Sequence, residues 1–284
     1  MKFINSILVF FTAQIVISSC NVINPAESIP TYVQIDSIPM KDNPGNNYGS
    51  TSSKITDVWV YWNNNLLGAF PLPAKIPVIM KETGSLSVVP GVIVDGMSDK
   101  HSPYSFYKDA AYTLSPTPGK TQVLHPTTMY RDGLNLWKED FEQGNSFVKL
   151  NGDTALYRTS ASASVFEGSF SGQIILDANH RESECVTSSN LGLPYGKEVF
   201  IEINYKCNVP FGLGLRTTKG GVDVSQYAIT INPKETWNKL YISIGDDIAL
   251  LLTGAYKLLI YSKLPDGQSS GYVLVDNIKV LYLK

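Results

Sequence analysis

The chain has 284 residues, 43% hydrophobic and 17% charged, with 23 Lys and Arg against 25 Asp and Glu and a formal net charge of −2. That apolar content and small net charge exclude a disordered chain, and the near balance of bases and acids excludes a strongly basic nucleic-acid binder. With 22 Gly and 3 Cys it is neither collagen-like nor a disulfide-dense scaffold, and its length fits two domains at roughly 100–200 residues each.

Lys2 gives a small positive start, and residues 7–17 (ILVFFTAQIVI) form an apolar run of signal-peptide length. The run is shorter than the roughly 20 residues that a spanning helix needs. Ile17-Ser18-Ser19-Cys20 follows. These four residues resemble the lipobox of bacterial lipoproteins: an aliphatic residue, two small residues, then the cysteine that is acylated. The resemblance implies a signal peptide over residues 1–19 and a lipidated, palmitate-bearing Cys20. Residues 20–30, dominated by Ser, Pro and Asn, read as a lipid-anchored tether. No later segment is apolar enough to span a bilayer, so the lipid is the expected membrane attachment, each buried CH₂ adding about 0.8 kcal/mol. The implied location is the cell envelope, at the outer membrane, on either of its faces.

Folded sequence begins near Thr31 (TYVQIDSI). Residues 57–62 (DVWVYW) are β-branched and aromatic, and Asn63-Asn64-Asn65 is a turn signal that lets residues 66–70 return as a hairpin partner. Alternation places Trp59 and Tyr61 on one face and Val60 and Trp62 on the other, so this strand is expected to be central. Residues 85–89, 91–96, 104–107 and 120–126 are further candidates, and the helical period of 3.6 is absent. A first unit over 31–130 ends near Tyr130-Arg131-Asp132-Gly133, and a second, 137–284, begins at Trp137. Its candidate strands are 137–143, 155–160, 173–177, 184–188, 198–206, 211–217, 226–231, 237–245, 255–263 and 272–283, with a helical turn over 246–252. Strands at this spacing, separated by Gly-, Pro- and Asn-rich turns, argue for two all-β sandwiches in series.

The second unit opens with Glu139-Asp140-Phe141-Glu142-Gln143-Gly144 and closes with Tyr272-Val273-Leu274-Val275-Asp276-Asn277-Ile278. It resembles the jelly-roll sandwiches of the carbohydrate-binding-module and galactose-binding-like group. The first unit resembles small Ig- or transthyretin-like sandwich domains of Bacteroidetes lipoproteins, on residues such as Thr56-Asp57-Val58-Trp59-Val60, Leu72-Pro73-Ala74 and Tyr104-Ser105-Phe106-Tyr107. No activity follows from that second likeness.

The jelly-roll resemblance implies a structural Ca²⁺ held by Glu142 and Asp276 with a backbone oxygen near Asp140. Ca²⁺ takes about 6–8 oxygen ligands, and the other reading is that these acids cap turns. It also implies a carbohydrate ligand. Tyr205, Arg216 and Tyr227 are the concave-face candidates, although large aromatics in sandwiches also fill cores. Cys185 and Cys207 either form a disulfide, which an exported protein can keep, or stay as two buried thiols. Catalytic signatures are missing. His101, His125 and His180 are scattered without metal spacing. Gly168-Ser169-Phe170-Ser171-Gly172 has Phe where a nucleophile would stand.

The expected function is therefore a non-enzymatic envelope lipoprotein whose C-terminal jelly roll binds a glycan. The alternative is a structural or assembly lipoprotein contacting other envelope proteins in a secretion, motility or uptake complex. A glycan-active enzyme is a third reading and would need two facing carboxylates.

Overall fold

The computed structural model describes residues 27–284. Cys20, the expected signal peptide and most of the tether lie outside the described residues. No described helix is long and apolar enough to cross a membrane.

The chain is all-β. Its first strands are β1 (Thr31–Ile35), β2 (Asp57–Trp62), β3 (Asn65–Pro71), β4 (Ala74–Val78), β5 (Gly84–Ile93), β6 (His101–Pro103), β7 (Ala110–Leu114) and β8 (Thr121–Leu124). They form two sheets. One has the order β4-β1-β8, with β1 antiparallel to β4 and parallel to β8. The other has the order β3-β2-β5-β6, with β7 also pairing β5. Alternation builds the core between them: Val33, Ile35, Ile76 and Val78 meet Val58, Val60, Leu86 and Val88, all buried. As expected, β2 is central. Asn63 and Asn64 link it to β3 with φ of 46° and 65°, the positive pair that a tight two-residue hairpin requires.

The remaining strands are β9 (Leu134–Glu139), β10 (Phe147–Gly152), β11 (Tyr157–Thr159), β12 (Ser171–Asp177), β13 (Glu182–Thr187), β14 (Leu191–Gly192), β15 (Phe200–Cys207), β16 (Phe211–Lys219), β17 (Val222–Ile231), β18 (Lys234–Ser243), β19 (Ala255–Lys263) and β20 (Ser270–Leu283). Helix α1 (Gly245–Leu251) supplies the expected helical turn and buries Ile248 and Leu251. One sheet runs β10-β13-β19-β16-β17, with β14 on β19. The other runs β11-β12-β20-β15-β18, with β9 on β20. Their inner faces share one core, where Ile201, Ile203 and Val275 meet Leu213, Leu215 and Ile260.

The disulfide alternative does not hold. Cys185 and Cys207 are both free and buried. Their strands, β13 and β15, lie in opposite sheets rather than side by side. Each sulfur has its own partner: Leu156 N donates to Cys185 Sγ at 3.2 Å, and Cys207 Sγ donates to Asn232 O at 3.8 Å.

The two pairs of sheets meet across a third apolar cluster. Val92, Val94, Tyr104, Phe106, Tyr107 and Tyr130 pack there against Leu134, Phe200, Tyr241 and Leu281. The stretch 104–107 reads as a strand in sequence but forms no named strand here. Its rings fill the junction instead. At the centre sits Glu202, fully buried. Tyr104 Oη and Tyr130 Oη donate to its two oxygens at 2.9 and 2.8 Å. Lys239 Nζ lies 2.9 Å from Oε2. Lys279 Nζ donates to Tyr130 Oη at 3.0 Å and to Ser50 O at 2.7 Å. Burial alone would raise the Glu202 pKa, but Lys239 and Lys279 outweigh it and hold the carboxyl below its ordinary value. Burial pushes Lys279 down to about 7, against the pull of Glu202.

Two outcomes are expected. Glu202→Gln leaves two buried ammonium groups without their counter-charge and costs about 3–5 kcal/mol in urea unfolding. Lys279 has a folded pKa below the ordinary lysine value of 10.5, so the unfolded state binds more protons between about pH 7 and 10.5. Its contribution to stability is present at the alkaline end and is lost as pH falls through 7. Lys279→Met removes that rise, read from unfolding midpoints across the window.

Candidate functional site

The outer face of β10-β13-β19-β16-β17 is built by register. Alternation turns Leu213 and Leu215 inward on β16, and Leu258 and Ile260 inward on β19. Gly212, Gly214, Arg216, Lys257 and Tyr261 therefore face outward. Pairing sets Glu184 opposite Tyr261, Tyr261 opposite Gly212, and Gly214 opposite Tyr227. The two glycines leave part of β16, beside the central strand β19, without side chains, a trough in this face. A methyl at Gly212 would lie 1.9 Å from the Tyr261 ring, so that ring rests directly on the bare backbone.

Tyr227, half exposed, meets Tyr261 edge-on with centroids 4.7 Å apart. Its hydroxyl donates to Glu184 Oε1 at 3.0 Å, and Tyr261 Oη lies 3.0 Å from Thr230 Oγ1. Burial first, then Glu184, raises the Tyr227 pKa. Further along, Arg216 donates to Ser225 Oγ at 3.0 Å and to Asp223 Oδ2 at 2.9 Å. Hydrogen bonds from Thr218 and Arg216 lower the Asp223 pKa. A cleft of about 410 Å³ opens here, with Arg216, Asp223, Thr253 and Lys257 on its walls. Amphipathic rings beside fixed planar donors and acceptors are the usual make-up of a small-molecule site.

Of the three sugar-face candidates, the structure brings together Arg216 and Tyr227 and separates Tyr205. Tyr205 belongs to the opposite sheet, is 5% exposed and packs on Phe211 in the core. Its hydroxyl accepts from Asn238 Nδ2 at 3.0 Å. Tyr261 and Glu184 were missed. The signal for Tyr261 was present in sequence, since Tyr256, Leu258 and Ile260 alternate inward and leave Tyr261 outside. The outer face of the other C-terminal sheet is closed, because Glu202, Asn204, Lys239, Tyr241 and Lys279 are buried there against the N-terminal sheets.

Glu142 and Asp276 do converge, but on a loop. Glu142 Oε1 accepts from Ser169 N and Phe170 N at 2.8 and 3.0 Å. Asp276 Oδ2 accepts from Ser171 Oγ at 2.6 Å and Glu167 N at 3.4 Å, and Oδ1 from Asn277 N at 2.7 Å. Asp140 pairs with Lys138 at 3.2 Å. Protein donors thus engage Glu142 Oε1 and both oxygens of Asp276, which is the turn-capping arrangement. Among the described residues, no three His, Cys, Asp or Glu side chains gather as a metal-ligating group.

No protein-family model matches the chain, and no curated protein matches it. Solved structures do. TmCBM61, in complex with beta-1,4-galactotriose, is 18% identical over 51% of this chain and 94% of its own, with a TM-score of 0.35. The family 11 carbohydrate-binding module from Clostridium thermocellum, in complex with a beta-1,3-1,4-mixed-linked tetrasaccharide, is 16% identical over 52% and 95%, with a TM-score of 0.37. The K2 cleaved adhesin domain of Lys-gingipain is 11% identical over 51% and 97%, with a TM-score of 0.37.

Burial foremost pushes Asp276 up to about 6 from a model value of 3.8. The folded state therefore binds the extra proton between about pH 4 and 6. The stability this carboxyl contributes is full below 4 and lost as pH rises through 6. Asp276→Asn is expected to flatten that slope in denaturation curves across the window. Calcium and EDTA are expected to give melting temperatures within about a degree of each other if these acids act only as loop caps, whereas a rise in calcium would show an ion bound to the native state.

Proposed function

We propose that this is a non-enzymatic, lipid-anchored cell-envelope protein whose C-terminal sandwich, a jelly roll, binds carbohydrate on its outer trough. The observation that carries the reading is the edge-on Tyr227–Tyr261 pair, with the Tyr261 ring resting on Gly212 and with Glu184 and Arg216 on the same open face. A sugar ring offers apolar C–H faces to such aromatics and hydroxyls to such planar polar groups. The N-terminal sandwich and the tether would act as a spacer between the lipid on Cys20 and the trough, at the outer membrane.

A second reading has its own observation. β3 ends its sheet, and Leu66 and Leu67 on it are exposed. A free apolar edge is a template for strand addition by another envelope protein.

A glycan array on the chain from Asn21 onward separates the two. Selective binding is expected, weakened tenfold or more by Tyr227→Ala and by Arg216→Ala, a loss of about 1.4 kcal/mol or more. Gly212→Ala should weaken it as well by lifting Tyr261, while Tyr205→Phe should not. A blank array from well-folded protein would reject sugar binding and direct crosslinking to the β3 edge.

A further inference from the structure

A second cleft, about 340 Å³, opens where the N-terminal sheets meet β17 and β18. Both strands are terminal in their sheets, so the cleft lies at the open side of the C-terminal sandwich. Lys54 reaches it from the segment before β2, and Lys234 from the start of β18. Lys54 Nζ donates to Asn238 Oδ1 at 2.7 Å. Among the described residues, neither lysine has a carboxylate within ion-pair distance. The acid on the wall, Asp95, is already engaged: Lys100 pairs with one oxygen and Ser243 N donates to the other. Two ammonium groups thus share one concave space with no counter-charge. Burial, and then repulsion from Lys234, lowers the Lys54 pKa.

We propose that this cleft is an oxyanion site, in which a carboxylate, sulfate or phosphate group bridges Lys54 and Lys234. The amides of Asn232 and Asn238 and the hydroxyl of Tyr205 stand beside it. An anion there neutralises both lysines, and charge-assisted hydrogen bonds to such a group are roughly twice as strong as neutral ones. The site ties a segment of the N-terminal unit to the C-terminal sandwich, so the ligand would also fasten the junction. Thr230 lines this cleft and bonds Tyr261 on the outer face, which places the cleft beside the Tyr227–Tyr261 trough. If the outer trough holds a glycan, as proposed above, an acidic saccharide is the occupant that would use both. The oxyanion site itself stands without that reading.

Calorimetry at low salt with sodium sulfate, sodium phosphate, glucuronate and glucose tests this on the whole mature chain. The anions should bind saturably and glucose should not. Lys54→Met and Lys234→Met should each weaken anion binding at least tenfold, while Lys81→Met, at an exposed lysine outside the cleft, should leave it unchanged. Both lysines are exposed, so their replacement leaves the fold intact, checked by melting temperature. Tighter binding of glucuronate than of the inorganic anions would identify a saccharide acid as the source, and the reverse order a free inorganic anion. Anion binding that survives the double variant, or no saturable anion binding to the wild-type chain, overturns the proposal. Loss of glycan binding with anion binding intact would fault the trough and not this cleft.

Discussion

Glu202 is fully buried, and a buried carboxylate is tolerated only where it is both paired and hydrogen-bonded. Its partners come from both halves of the chain. Tyr104 and Tyr130 belong to the N-terminal side, and Lys239 and Lys279 to the C-terminal sheet. Neither half can keep this set alone. Separating them would leave Glu202 with two lysines but without its hydroxyl donors, and would expose the Tyr104, Phe106 and Phe200 rings. Buried ion pairs often contribute little net stability compared with apolar packing. What this one specifies is geometry: a slipped or rotated junction would strand a charge.

That geometry decides which surfaces can serve a ligand. A β-sandwich has two outer faces. Here the junction covers one of them, and the face carrying Tyr227 and Tyr261 stays open. The same covering creates the cleft between Lys54 and Lys234, because β17 and β18 end their sheets beside the N-terminal turn at Asp95 and Gly96.

Much of the strand content was legible because inward and outward residues alternate. Residues 57–62, 211–217, 226–231, 255–263 and 272–283 read as strands and lie in β2, β16, β17, β19 and β20. β4 was missed, since Pro77 interrupts its pattern. Residues 104–107 misled because aromatic density favours a strand in sequence, and nothing local reveals that the rings fill a junction. The Glu202 cluster was out of reach for a different reason. Its charges are visible within apolar runs, but Glu202 meets Lys279 and Tyr241 only through the cross-strand registers of β15 with β20 and β18. Tyr205 shows that parity was available and unused. It shares its side of β15 with Ile201 and Ile203, which places it inward, whereas Arg216 alternates against Leu213 and Leu215 and points out.

The opening and closing motifs of the second unit, Phe141-Glu142 and Asp276-Asn277, do meet, although the resemblance that singled them out implied a cation between them. Phe141 and Asn277 both adopt left-handed backbone, with φ of 59° and 47°. Asp276 holds both ends of the 167–171 loop, through Glu167 N and Ser171 Oγ, and Glu142 holds its middle, through Ser169 N and Phe170 N. Three backbone amides and the Ser171 hydroxyl thus tie this loop to the two acids. The two glycines of β16 each admit a close approach. Glycine weakens a strand and leaves no side chain to pack, and it is kept where something must approach the backbone closely. At Gly214 a methyl would lie 2.2 Å from the carbonyl oxygen of Gln226, so the bulge in β17 accounts for that position. Gly212 is different: the atoms that bar a side chain there are the far end of the Tyr261 ring. The bare backbone of Gly212 lets that ring rest on the outer face of the sheet, edge-on to the half-exposed Tyr227.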